Sequence, residues 1–105
     1  MTTKSQGRIF IIKTVGIDWI RASDNYLELH QGGRIHLLRT TLTALVDQLP
    51  PDQFAQISRS LLVNADRVIE IRTKTHGDYL VLLRDGAALS GSRNYRQSLE
   101  RILDI

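Results

Sequence analysis

The chain has no cysteine, which excludes disulfide scaffolds and thiolate metal sites. It has no apolar run approaching the roughly 18 residues that a membrane-spanning helix needs. The N-terminus lacks a basic segment followed by an apolar stretch, so no signal peptide is expected and a cytoplasmic location is. An excess of charge of either sign is also lacking. The formal net charge is only +3, too small to point to nucleic acid by itself. At 105 residues the chain can bury one modest core but not two, so one domain is expected.

What is present is distribution. Eleven of the fourteen basic residues are arginine, whose planar fork suits guanine edges and phosphates, although a GC-rich genome would produce the same bias. No acid lies between Gln53 and Ala65 or between Gly86 and Leu99, whereas Arg59, Arg93 and Arg96 do. A surface assembled from these two windows is locally positive.

Residues 1–7 are polar and aperiodic and read as a flexible tail or linker, leaving 8–105 as the domain. Arg8–Lys13 and Ile17–Ala22 read as strands, with a turn cluster at Ser23-Asp24-Asn25. Tyr26–His30 and Arg34–Leu38 alternate around a glycine pair. A three-residue loop, Gln31-Gly32-Gly33, would place Leu27 and Leu29 on the same face as Ile35 and Leu37, so that register is expected. Thr40 is a candidate cap for a short helix whose Leu42, Leu45, Val46 and Leu49 form one stripe, stopped by Pro50-Pro51. Strands follow at Leu61–Val63, Arg67–Arg72 and Asp78–Arg84. Asp85-Gly86 predicts a two-residue turn with residue 82 facing residue 89. A last helix over about Asn94–Leu103, with Ser92 as candidate cap, turns Tyr95, Leu99, Ile102 and Leu103 inward. The fold class is therefore mainly β and antiparallel, with one short internal helix and a C-terminal helix. No pair of adjacent helices exists to form a helix-turn-helix, so any DNA reading must use loops or strands.

Catalytic and metal chemistry find little support. His30 and His36 lie on neighbouring strands without a third ligand at suitable spacing, and they read as ordinary sheet positions. Ser90, His76 and Asp78 could be written as a triad, but no nucleophile-elbow pattern accompanies them. No glycine loop suits a phosphate cofactor, and neither enzyme nor cofactor is expected. Two polar segments remain: Gln56–Ser60, and Ser90–Arg96 entering the last helix. Each joins an arginine to hydroxyls, and the second adds helix N–H groups. Such groups suit DNA, with phosphates held by hydroxyls and amides while arginine reaches a base. An acidic protein partner bound by a β-rich interaction module, or a plain surface loop, would use the same residues.

At these residues the sequence resembles a family. Ile57-Ser58-Arg59-Ser60-Leu61-Leu62-Val63-Asn64 is similar to the I-H-R-S-x-x-V-N signature of LytTR-type DNA-binding domains. Gly77-Asp78-Tyr79, Leu82–Gly86 and Ser92-Arg93-Asn94-Tyr95 resemble its closing pattern. Ile17–Ile20 with Asn25-Tyr26-Leu27 resembles its opening, Leu42–Leu49 its helix, and Phe54 the phenylalanine before the signature. The resemblance covers about Arg8 to Leu103. It implies an elongated antiparallel β fold whose loops enter successive major grooves of double-stranded DNA. It also implies dimers on paired direct repeats, and a receiver or membrane sensor region that these 105 residues do not include. Whether this is an excised effector domain or a stand-alone regulator stays open.

Carried over by position, the base contacts fall on Asn25, Arg59 and Arg93. Ser58, Ser60, Asn94 and Arg96 become phosphate or supporting contacts. The chemistry agrees: an arginine can donate two bonds to guanine O6 and N7, and an asparagine matches adenine. Tyr95 and Asn64 read as structural. Two departures stand out: Ser58 replaces a frequent histidine, and Gly91 replaces an apolar residue, which is expected to loosen the approach to Arg93.

Overall fold

The computed structural model describes residues 2–105; Met1, part of the expected tail, lies outside them. Ten strands and two helices follow in order: β1 Thr2–Ser5, β2 Arg8–Ile11, β3 Trp19–Ser23, β4 Tyr26–Gln31, β5 Arg34–Leu38, α1 Leu42–Val46, β6 Phe54–Ser58, β7 Leu61–Asn64, β8 Val68–Thr73, β9 Tyr79–Leu83, β10 Ala88–Gly91 and α2 Arg96–Leu103. Every pairing among them is antiparallel. The central sheet runs β5-β4-β3-β7-β6, a second runs β10-β9-β8, and β1-β2 form a separate hairpin. Mainly β with a C-terminal helix is the observed class, in a body measuring 46 × 24 × 21 Å.

The central sheet separates two cores. On one face Ile20, Leu27, Leu29, Leu62 and Phe54 pack with Leu42, Leu45 and Leu49 of the α1 segment. On the other, Trp19, Ala55, Ile57, Leu61 and Val63 meet Tyr79, Val81, Leu83 and Leu89 of the second sheet and Leu99 of α2. Strand β7 is therefore buried at all four positions, as a strand covered on both faces should be. Asn64 ends it, fully buried. Its Nδ2 donates to the Ile17 carbonyl at 2.8 Å and its Oδ1 accepts from Asp66 N–H at 3.0 Å, a structural role as expected.

Four sequence expectations are corrected. Thr2–Ser5, expected as part of a flexible tail, pair with Arg8–Ile11 through a Gln6-Gly7 turn in which both residues take positive φ. That geometry matches the twist of the flanking strands.

The β4–β5 turn has two residues, not three. Gly32 and Gly33 take φ of 54° and 83°, and Leu27 pairs with Leu38 and Leu29 with His36. The inward partners are thus His36, packed against Phe10 with ring centres 5.5 Å apart, and Leu38, while Ile35 and Leu37 face outward.

Conversely, the β9–β10 loop has three residues, Arg84-Asp85-Gly86. Leu83 N–H reaches the Ala87 carbonyl at 2.9 Å, only Gly86 among the three has positive φ, and Leu82 pairs with Ala88. This register sets Leu89 opposite Val81 on the buried face.

The helix cap is Thr41, one residue later than expected; its hydroxyl accepts from Ala44 N–H at 3.1 Å. In addition, β6 was hidden inside a segment that reads as polar.

His30 is a packing residue, stacked on Trp19 with ring centres 3.6 Å apart and planes 9° apart, while Arg21 lies 4.9 Å from the Trp19 ring. Among the described residues no group of three or more metal-ligating side chains gathers, and no helix is long and apolar enough to cross a membrane.

Candidate nucleic-acid interface

Strand register decides which loops share an end of the molecule. β3 leaves the central sheet at Ser23 and β4 re-enters at Tyr26, so Asp24-Asn25 is the turn between them. β6 leaves at Ser58 and β7 re-enters at Leu61, so Arg59-Ser60 is the next turn along. Because β3 and β7 are antiparallel neighbours, with Arg21 opposite Leu61, both turns stand on one rim. Ala22 N–H closes the gap by donating to the Ser60 carbonyl at 2.8 Å. β5 also ends here, bringing Arg39 into the same depression as Asp24, Asn25 and Thr40.

Arg93 reaches this rim by a different route. The β6–β7 register shifts between Gln56 and Ser58, a bulge that leaves Ile57 out of the ladder. The freed Ile57 carbonyl accepts the Ser92 N–H at 2.7 Å, docking the turn Arg93–Tyr95 beside the end of β6. With strands roughly 4.8 Å apart, the row from the Asn25 turn past Arg59 to Arg93 spans about 15–20 Å. Residues separated by 34 positions in each interval thus come into one line.

Asn25, Arg59 and Arg93 are all exposed, and neither arginine belongs to any of the four ion pairs among the described residues. In the Asp24-Asn25 turn it is Asp24 that takes the positive φ, 50°. The supporting candidates differ among themselves. Ser58 is half-buried and its hydroxyl accepts from Ser60 N–H at 3.3 Å, bracing the Arg59 turn from within. Ser60 is exposed. Asn94 is exposed beside a shallow depression shared with Gln56, Tyr95 and Arg101. Arg96 is tied to Glu100 at 3.0 Å across one helical turn, so part of its charge is already matched.

The helix start differs from the expected one. Ser92 makes no side-chain cap; the first N–H of the turn, from Arg93, instead goes to Asp78 Oδ1 at 3.2 Å. Gly91 likewise does not loosen the approach to Arg93. The Tyr79 ring lies where a Gly91 side chain would stand, and its hydroxyl donates to the Tyr95 carbonyl at 3.4 Å. Burial pushes the Tyr79 phenol up to about 12, against a lowering by Arg96 and with a further rise from Glu100.

Sequence reasoning missed two cations at this end. Arg39 follows β5 directly, and no motif in the sequence ties it to the Asn25 turn. Lys74 belongs to the loop joining β8 to β9, which packs beside Arg93, and its ammonium lies 3.4 Å from Ser90 Oγ. Correct hairpin registers would have located both.

Comparison with known proteins gives concordant results. The model of the family described as LytTr DNA-binding domain matches residues 7–104. The chain is 26% identical over 97 residues to the sensory transduction protein LytT of Bacillus subtilis, covering 92% of this chain and 40% of that protein. It is 35% identical over 89 residues to a response regulatory protein of Vibrio cholerae, covering 81% and 34% respectively. The chain thus spans well under half the length of these relatives. A solved LytTr DNA-binding domain from Bacillus cereus superposes with a TM-score of 0.88 at 20% identity, over 100% of this chain and 96% of that one, which shows a shared fold.

Proposed function

The chain belongs to the LytTr DNA-binding domain family, and from that premise we propose that it reads a specific duplex sequence through the rim of Asn25, Arg59 and Arg93, as the effector part of a bacterial transcription regulator working in the cytoplasm. One observation carries the reading: three separate turns align on one rim and present two exposed arginines outside every ion pair among the described residues.

A row of about 15–20 Å exceeds the roughly 12 Å width of one major groove, so its two ends address different stretches of duplex. Arg93 donates its fork to guanine O6 and N7, and Asn25, at the far end, pairs with adenine. Arg59, between them, reads a base or clamps a phosphate. Ser60 and Asn94 hold phosphates, Ser58 braces the Arg59 turn, and Arg96 adds a weaker contact because Glu100 shares its charge. Two copies on paired direct repeats complete the proposed arrangement, their sites separated by whole helical turns of about 34 Å.

Enrichment from random duplexes tests the reading. The unmodified chain is expected to select one motif, and Arg93→Ala to lose discrimination at one base pair by roughly 1–3 kcal/mol while keeping weak general binding. Selection of the parent motif by Arg93→Ala would remove Arg93 from the readout. Enrichment of nothing would reject DNA reading altogether.

A further inference from the structure

Asp78 presents a puzzle for a DNA-binding rim. Its carboxylate is exposed beside Arg93, where a negative charge repels phosphate, and it joins none of the four ion pairs among the described residues. What it does is accept the backbone N–H of Arg93 at 3.2 Å, while its own carbonyl closes the loop by accepting Lys74 N–H at 2.7 Å. Its two sequence neighbours touch the same turn. A Cβ placed on Gly77 would stand 3.2 Å from Arg93 Cβ and 3.4 Å from Cδ, so the aliphatic stem of Arg93 rests against the bare Gly77 backbone. Tyr79, filling the space above Gly91, donates to the carbonyl of Tyr95. Gly77-Asp78-Tyr79 therefore holds the turn Arg93–Tyr95 at its side-chain stem, its first amide and its last carbonyl. His76 and Gly77 take φ of 63° and 82° to bring this about, a conformation that costs free energy for His76.

On the reading that Arg93 contacts a base, we propose that Gly77, Asp78 and Tyr79 are positioning residues that fix the posture of Arg93 and thereby set its specificity. Asp78 acts through its acceptor oxygen and not through its charge. The rim tolerates an acid there because an unheld arginine samples many rotamers and discriminates poorly between bases.

The test is random-duplex enrichment with the full chain and its variants, with Arg93→Ala marking the base pair that Arg93 reads. Asp78→Ala is expected to lower discrimination at that pair by about 5- to 10-fold, the scale of one hydrogen bond from an oriented group, without weakening binding to non-specific duplex. Asp78→Asn keeps an acceptor oxygen and is expected to retain discrimination to within about twofold. Adding Asp78→Ala to Arg93→Ala is expected to change selectivity no further. Tyr79→Phe, which frees the other end of the turn, gives the same localised loss if Asp78→Ala does not stay folded. The inference is overturned if Asp78→Ala keeps the parent's preference, if Asp78→Asn fails as badly as alanine, or if the loss spreads evenly over the pairs read near Asn25 and Arg59. A parent chain that selects no motif instead overturns the DNA reading on which the inference rests.

Discussion

At the scale of single residues, Tyr79 and Gly91 act as one unit. The tyrosine ring uses volume that glycine leaves empty, across a pairing of Gly91 with Tyr79 in neighbouring strands. Gly91→Ala would drive a methyl group into the ring, and a core overpacked in this way loses about 1–3 kcal/mol. A lowered thermal midpoint checks it. The same tyrosine predicts a response to alkali. Its phenol ionises near 10 when free and is held up to about 12 in the fold, chiefly by burial. As pH rises above 10 the unfolded chain releases this proton while the folded chain keeps it. The stability contributed is therefore whole below pH 10 and lost between pH 10 and about 12. Denaturant unfolding at about pH 9 and about pH 11 should show a smaller loss in Tyr79→Phe than in the parent.

Elements are where the sequence was most legible, and where it misled. From sequence, β3, β4, β5, β8 and β9 were placed to within two residues. In β4, β5 and β9 the inward side chains recur at every second position, whereas β3 is buried at two consecutive residues and β8 carries a bulge and no fully buried residue. β6 was missed because its buried Phe54, Ala55 and Ile57 do not alternate strictly, the bulge interrupting the period. The two hairpin loops were assigned each other's lengths. Matching apolar faces looked decisive for Ile35 and Leu37, yet both sit outside, and a histidine takes the inner place. A two-residue turn with both φ positive makes a specific demand on Gly33: alanine there is expected to cost about 1–2 kcal/mol. The three-residue reading would have asked the same of Gly33, so the discriminating substitution is Gly32→Ala. A loss of similar size in denaturant unfolding supports the observed turn, and a neutral result contradicts it.

Considered whole, the molecule keeps its net charge low and sets four of its exposed cations in loops at one end. Arg39, Arg59, Lys74 and Arg93 all belong to loops there, although Asp24 and Asp78 lie among them. A modest count of neutralised phosphates follows. With Arg93 on a base, Arg39, Arg59 and Lys74 are left for phosphates. The slope of log affinity against log salt is expected to be roughly −2 to −3 per copy, at about −0.9 per phosphate. Titration of a selected duplex over a range of salt measures it. A slope near zero would mean that these cations do not meet phosphates.

The motifs resemble one family, whereas composition, alternation and spacing by themselves determined a mainly antiparallel β chain, the stripe of α1 and the structural place of Asn64. Those properties follow from local backbone preference and from which side chains avoid water. Only the tertiary structure decided the strand registers, the pairing of residues once read as a tail, and the single rim that carries Asn25, Arg59 and Arg93. The physical reason is that a strand's register depends on what covers each of its faces, and loops far apart in sequence meet only after those choices are made. The grip of Gly77, Asp78 and Tyr79 on the Arg93 turn belongs to the same category: a missing Cβ, one carboxylate oxygen and one phenol converge on three atoms some fifteen residues away.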